Sequence, residues 1–307
     1  MRTDRRAAGL TGPAARLAAA AIPPAAVCAG VGAAVAGGGG AIVGAVVAGV
    51  VLAAVGTYCD RLALSAVLAR PVSEVEHPGL YRLVRELSKD ARLPAPRLYL
   101  SPARQPNSFT VGRSPRTAAI CCTAGLLALL DEAELRGVLG HELAHVSDRD
   151  ILPATVSAGL ARVITFPAGL ARSRPARAGS AVPGGSGSPV ARGPAAGLGL
   201  VEASLMLVLG PIAALVIRLP GTRGREYRAD AAGALLAGDP AALAGALRKI
   251  EVRAAKLALA PDARLSAVGH LMIVSPFYAD GLARLFATHP PAGERIRRVE
   301  ALAGYRR

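Results

Sequence analysis

The sequence predicts a mostly helical, multi-pass membrane protein that carries a small α+β domain built around one motif helix. Three observations lead there. Residues 17–59 contain no charged side chain, three short β-type runs lie between residues 97 and 122, and His141-Glu142-Leu143-Ala144-His145 reads H-E-x-x-H inside an apolar helical pattern.

Composition supports the membrane part. Of 307 residues 52% are hydrophobic, yet only 3% are aromatic and none is Trp, so Ala, Gly and Val carry the apolarity. The formal charge of +15 is almost all arginine, because the only lysines are Lys89, Lys249 and Lys256. Such a charge suits nucleic acid or an anionic membrane surface. No nucleic-acid motif or stacking aromatics accompany it, which leaves the lipid bilayer as partner and no nucleic acid. Cys28, Cys59, Cys121 and Cys122 form no C-x-x-C pair and read as buried free thiols.

Residues 1–70 form the N-terminal membrane anchor. A bilayer core needs about 20 apolar residues per helix. Leu17 to Ala36 and Ala41 to Cys59 each fit, separated by Gly37-Gly38-Gly39-Gly40. A secretory signal peptide is the competing reading of the basic start and first apolar run. Arginines before Arg16 and after Asp60 bracket an uncharged turn, so the positive-inside rule puts both flanks in the cytoplasm.

Residues 71–150 begin a water-facing unit. Leu80, Leu83, Val84 and Leu87 recur at helical spacing, and Pro94 and Pro96 end that helix. Arg97 to Leu100, Ser108 to Val111 and Thr117 to Cys122 are strands, followed by a helix through Leu126, Leu127 and Leu130. An open edge of this sheet would suit an extended peptide by strand addition. Asp131 is placed to cap the motif helix, with Glu134 at its third position.

Residues 151–219 hold two further apolar stretches, Ile151 to Leu170 and Gly197 to Leu219, around a Pro-, Gly-, Ser- and Arg-rich loop over 171–196. Pro153, Arg162 and Pro167 interrupt the first, Glu202 and Pro211 the second. Both would span the bilayer, or both would lie against it or pack in the motif-bearing domain. Residues 220–307 complete that domain, with helices starting at Asp239-Pro240 and Pro290-Pro291.

Residues four apart share a helix face, so His141 and His145 can offer two imidazole nitrogens to one Zn²⁺ while Glu142 sits beside the open position. A catalytic zinc takes a third protein ligand. Glu226, in Glu226-Tyr227-Arg228-Ala229-Asp230, is the best placed, and Asp230 one turn on could accept the free N–H of a ligating histidine. An acidic pair on a solvated helix start is the other reading of those two residues.

Four ordered motifs carry a family resemblance: Asn107 to Gly112, Thr123 to Asp148 with its H-E-L-A-H, Arg225 to Asp230, and Phe286 to Pro291 followed by Glu294-Arg295-Ile296. With them the chain resembles the HtpX-type membrane zinc metalloproteases, relatives of the CAAX prenyl endopeptidases. The resemblance implies a gluzincin-type α+β catalytic domain with one Zn²⁺ per chain on His141, His145 and Glu226, and with Glu142 as general base. It places Asn107 on a substrate-binding edge strand and His289 near the cleft as a catalytic group, against the alternative of a structural histidine before Pro290. His77 and His270 read as structural or solvated. The implied activity is cleavage of polypeptides at the cytoplasmic face of the cell membrane, with misfolded or damaged membrane proteins as substrates. A prenyl-protein endopeptidase and a zinc-dependent membrane sensor are the alternatives, and the oligomeric state is not readable from the sequence. One constraint is topological: His145 and Glu226 must meet at one zinc, so the chain between them crosses the bilayer an even number of times or not at all.

Overall fold

A computed structural model describes residues 13–172, 200–218, 223–259, 262–277 and 289–304. The apolar N-terminal stretch forms helix α1, Pro13–Ala66, whose backbone leaves helical geometry at Ala36 and at Gly37, where φ is +60°. That left-handed value suits a residue without Cβ. The chain then doubles back. A methyl group on Gly32 or Gly40 would strike the other's carbonyl, and one on Gly44 would strike the Cys28 carbonyl. Residues eight and sixteen apart on one straight helix would be roughly 12 and 24 Å apart, so α1 is a hairpin of two closely packed arms. Val31, Val35, Val43, Val47 and Val50 stand exposed on it. The stretch Ala25–Ala66 is long and apolar enough to cross a bilayer.

Beyond α1 a four-stranded sheet assembles in the order β1-β2-β4-β3, from β1 (Arg70–Pro71), β2 (Arg97–Ser101), β3 (Ser108–Val111) and β4 (Ala119–Thr123). β2 and β4 are parallel, and the other two pairings are antiparallel. The three longer strands fall within two residues of where the Pro and Gly signals put them, Thr117 lying in a turn before β4, whereas β1 is too short to leave a pattern. Side chains alternate between the faces. Leu98, Ile120 and Cys122 join one core with helix α2 (Pro78–Asp90), while Phe109, Val111, Ala119 and Cys121 join another with Ala63, Leu64 and Val67 at the end of α1. The sheet thus couples the apolar hairpin to the rest of the molecule.

Helix α3 (Ala124–Leu129) leads into the motif helix α4 (Glu132–Ser147). Asp131 accepts the Glu134 N–H and Glu134 accepts the Asp131 N–H, a reciprocal cap that fixes where α4 starts. Next come α5 (Ile151–Ile164), α6 (Phe166–Arg172) and α7 (Leu200–Arg218). The first apolar stretch is broken at Thr165, and α5 is largely buried, with Gly159 against Val55 and Cys59 of α1. Its 14 residues reach about 21 Å, short of a hydrocarbon core of roughly 30 Å. Apart from its first two residues, the expected loop 171–196 lies outside the described residues.

Helices α8 (Arg223–Ala237), α9 (Pro240–Lys256), the single turn α10 (Leu265–Val268) and α11 (Ala292–Gly304) complete the fold. Asp239 caps α9 by accepting the Ala242 N–H, with Pro240 in the first turn. α4 and α8 cross at two glycines. A Cβ on Gly140 would lie 2.6 Å from the Gly233 carbonyl oxygen, and one on Gly233 would run into the backbone of His141. That contact brings the motif helix and the helix of Glu226 within reach of one ion.

Candidate metal centre

His141, His145 and Glu226 converge, with one possible ligand atom from each lying within 4.8 Å of the others. The two imidazoles meet through Nε2, 3.2 Å apart, and His145 Nε2 is 3.9 Å from Glu226 Oε1. Two nitrogens on a tetrahedral zinc at about 2.0–2.1 Å would be about 3.3 Å apart. Each ring turns its other nitrogen to a carboxylate. His141 Nδ1 is 2.9 Å from Asp230, and His145 Nδ1 is 3.2 and 3.3 Å from the two oxygens of Asp150. With His145 Nδ1 hydrogen-bonded to Asp150 and His141 Nδ1 at ion-pair distance from Asp230, the two Nε2 atoms face one another, an arrangement that suits a cation between them.

The electrostatics ask for the same thing. Four buried carboxylates, Glu142, Asp150, Glu226 and Asp230, stand among two buried guanidiniums, Arg225 and Arg295. The excess of carboxylates over guanidiniums suits a cation. Burial by itself lowers the pKa of His145. The Asp150 hydrogen bond and the charges of Glu226, Asp150 and Glu142 outweigh burial and raise it to about 9. Burial likewise works against the Asp230 charge, but Arg295 and His141 hold that carboxyl at about 2. Arg295 grips it with two bonds of 2.7 and 2.8 Å. The donor set therefore fits zinc: two imidazoles and one carboxylate, beside a small cavity of about 30 Å³ lined by His145, Glu226 and Glu142.

Glu142 is itself clamped. The Ser108 hydroxyl donates to one carboxylate oxygen at 2.6 Å and the Thr110 hydroxyl to the other at 2.7 Å. Both come from β3, where alternate residues share a face. The other expected site residues lie further out. His289 Nδ1 is 3.3 Å from Glu226 Oε2, so this histidine touches a candidate ligand. Asn107 is buried, its amide donating to the Val274 carbonyl at 2.9 Å and its oxygen accepting the Val274 N–H at 3.3 Å. Next to it, the Ser108 carbonyl accepts the Ile273 N–H at 2.9 Å. The β3 edge is thus closed at its start by the 272–274 segment instead of lying open along its length, and Asn107 fastens that segment.

Sequence reading missed Ser108, Thr110, Asp150, Arg225 and Arg295, and it set aside His270, which lines the small cavity beside Glu142 and His145. Burial pushes the His270 pKa down to about 3, so the ring is neutral. Ser108 and Thr110 did leave a signal, as two hydroxyl residues at strand spacing in an apolar run. Asp150 left less of one. Arg149 turns the chain with φ of 54° two residues after the end of α4, and Asp150 follows it at His145.

The chain can now be set beside known proteins. A family model described as Peptidase family M48 matches residues 74–303. The chain is 54% identical over 246 residues to a protein named Protease HtpX homolog from Kineococcus radiotolerans, which covers 80% of either chain. It is 48% identical over 245 residues to one of the same name from Paenarthrobacter aurescens, covering 80% of this chain and 79% of that one. Among solved structures, the crystal structure of S. mikatae Ste24p matches at a TM-score of 0.42 and 17% identity, over 94% of this chain and 64% of that one.

Proposed function

Because the chain belongs to peptidase family M48 and is a membrane metalloprotease, we propose that it holds one zinc ion on His141, His145 and Glu226 and cleaves polypeptides with Glu142 as general base. The convergence of His141, His145 and Glu226, beside a small cavity lined by Glu142, His145 and Glu226, carries the proposal. Zinc bound there supplies a Lewis acid that polarises the scissile carbonyl and acidifies water.

The chain's own residues do the rest. Asp150 and Asp230 fix the Nδ1–H tautomers, so that both Nε2 atoms are free to ligate. Arg295 holds Asp230, and its guanidinium lies 3.9 Å from Glu226. Ser108 and Thr110 aim the Glu142 carboxylate, which takes a proton from water and returns it to the leaving amine. His289 steadies Glu226 and stands where it could also donate to the developing oxyanion. Asn107 shapes the substrate wall by fastening residues 272–274 to β3.

The N-terminal hairpin anchors the enzyme in the cell membrane, with α5 to α7 forming or bordering a second membrane element, and the site opens on the cytoplasmic side. The exposed apolar surface of α1 and the arginines beyond Asp60 support that placement. Misfolded or damaged membrane proteins are the proposed substrates. In purified detergent-solubilised protein, Glu142→Gln should keep about one zinc per chain and lose peptidase activity, because an amide cannot relay the proton. An active variant would remove Glu142 from its assigned role.

A further inference from the structure

Where α1 meets the sheet, a cavity of about 280 Å³ gathers four arginines from three parts of the chain. Arg61 comes from α1, Arg97 from the start of β2, and Arg113 and Arg116 from the connection between β3 and β4. One lining carboxylate, Asp60, answers them. It is 3.3 Å from Arg97 and accepts the Arg61 backbone N–H at 2.9 Å. Among the described residues, Arg61, Arg113 and Arg116 have no carboxylate partner at ion-pair distance. Tyr58 also lines the cavity and lies under the Arg61 guanidinium, 5.6 Å from it.

Four guanidiniums around one cavity repel each other, and Asp60 leaves an excess of three positive charges. An anion relieves that repulsion, and planar guanidinium forks match phosphate oxygens two at a time. The location narrows the choice of anion. Asp60 and Arg61 are the first charged residues after Arg16, immediately following the uncharged stretch. With α1 in the bilayer, the cavity lies at headgroup depth on the catalytic-domain side, the level at which Tyr is enriched. We propose that this cavity binds the phosphate group of an anionic phospholipid. The lipid would seat the catalytic sheet on the membrane surface through the turn that joins β3, the strand of the Glu142 clamp, to β4. This inference rests on α1 spanning the membrane, and the test separates the two.

Full-length protein is reconstituted into neutral bilayers, and its association with spin-labelled phosphatidylglycerol is compared with spin-labelled phosphatidylcholine. The wild type should prefer phosphatidylglycerol. Arg113→Gln and Arg61→Gln should each reduce the preference about five-fold, the factor for one arginine near an anionic surface, with zinc content unchanged as the control for folding. Equal association in wild type and variants overturns the site. Inorganic phosphate that binds the cavity while the wild type shows no preference for phosphatidylglycerol over phosphatidylcholine assigns the cavity to free phosphate and overturns the lipid. Release of the wild type from membranes by alkaline carbonate overturns the span itself, a result independent of any arginine.

Discussion

Glu142 has both oxygens taken up by hydroxyls, and those hydroxyls are the least expected feature of the site. A general base works only when its carboxylate points at the attacking water, and a misplacement of about 1 Å can cost about 10²-fold in rate. Replacing the pair, as Ser108→Ala with Thr110→Val, is therefore expected to lower kcat by about 10²-fold with KM and zinc content little changed. Steady-state kinetics with metal analysis checks it, and an unchanged kcat would leave the two hydroxyls as packing only. Much of this site was legible at the level of single residues, because H-E-x-x-H fixes two rings on one helix face by geometry alone. Ser108, Thr110, Asp150 and Arg295 were not legible in that way. Their roles depend on partners 34, 32, 5 and 65 residues away, and except for Asp150 those contacts exist only once strands and helices have docked.

At the scale of elements, the site exists because α4 and α8 touch backbone to backbone at Gly140 and Gly233. No side chain fits between them. Gly233→Val should push the helices apart, separate Glu226 from His141 and His145, and abolish zinc binding in protein that still purifies as a helical species. Zinc content with circular dichroism measures this, and a variant with full zinc would show that the crossing tolerates a side chain. The helices and longer strands were readable from apolar spacing, caps and prolines, as at Leu80, Leu83, Val84 and Leu87 or at Asp131 and Glu134. The closed start of β3 was not readable. An edge strand and a covered one have the same alternation, and what covers Ser108 is Ile273, far along the chain.

At the scale of the whole molecule, the convergence of His145 and Glu226 imposes its parity on the membrane topology. α4 and α8 sit together, so the chain between them leaves the site and comes back, whatever α5, α6 and α7 do on the way. α7 has 19 residues and exposes Leu207 and Leu215, whereas α5 is short and largely buried. If α5 with α6 and α7 both cross, a cysteine at Ser186, beyond the described residues, introduced into a chain lacking Cys28, Cys59, Cys121 and Cys122, reacts with an impermeant maleimide from outside the cell. Reaction only after permeabilisation would confine the membrane part to α1 and leave α5 to α7 on the inner side.

The most direct test of the central claim is the zinc X-ray absorption spectrum of the purified full-length protein. The account predicts about one zinc per chain with only nitrogen and oxygen neighbours at about 2.0–2.1 Å, including the outer-shell scattering of two imidazoles, and loss of the bound metal in Glu226→Ala. Sulfur scattering at about 2.3 Å, a single imidazole, or full zinc retention by Glu226→Ala would contradict it.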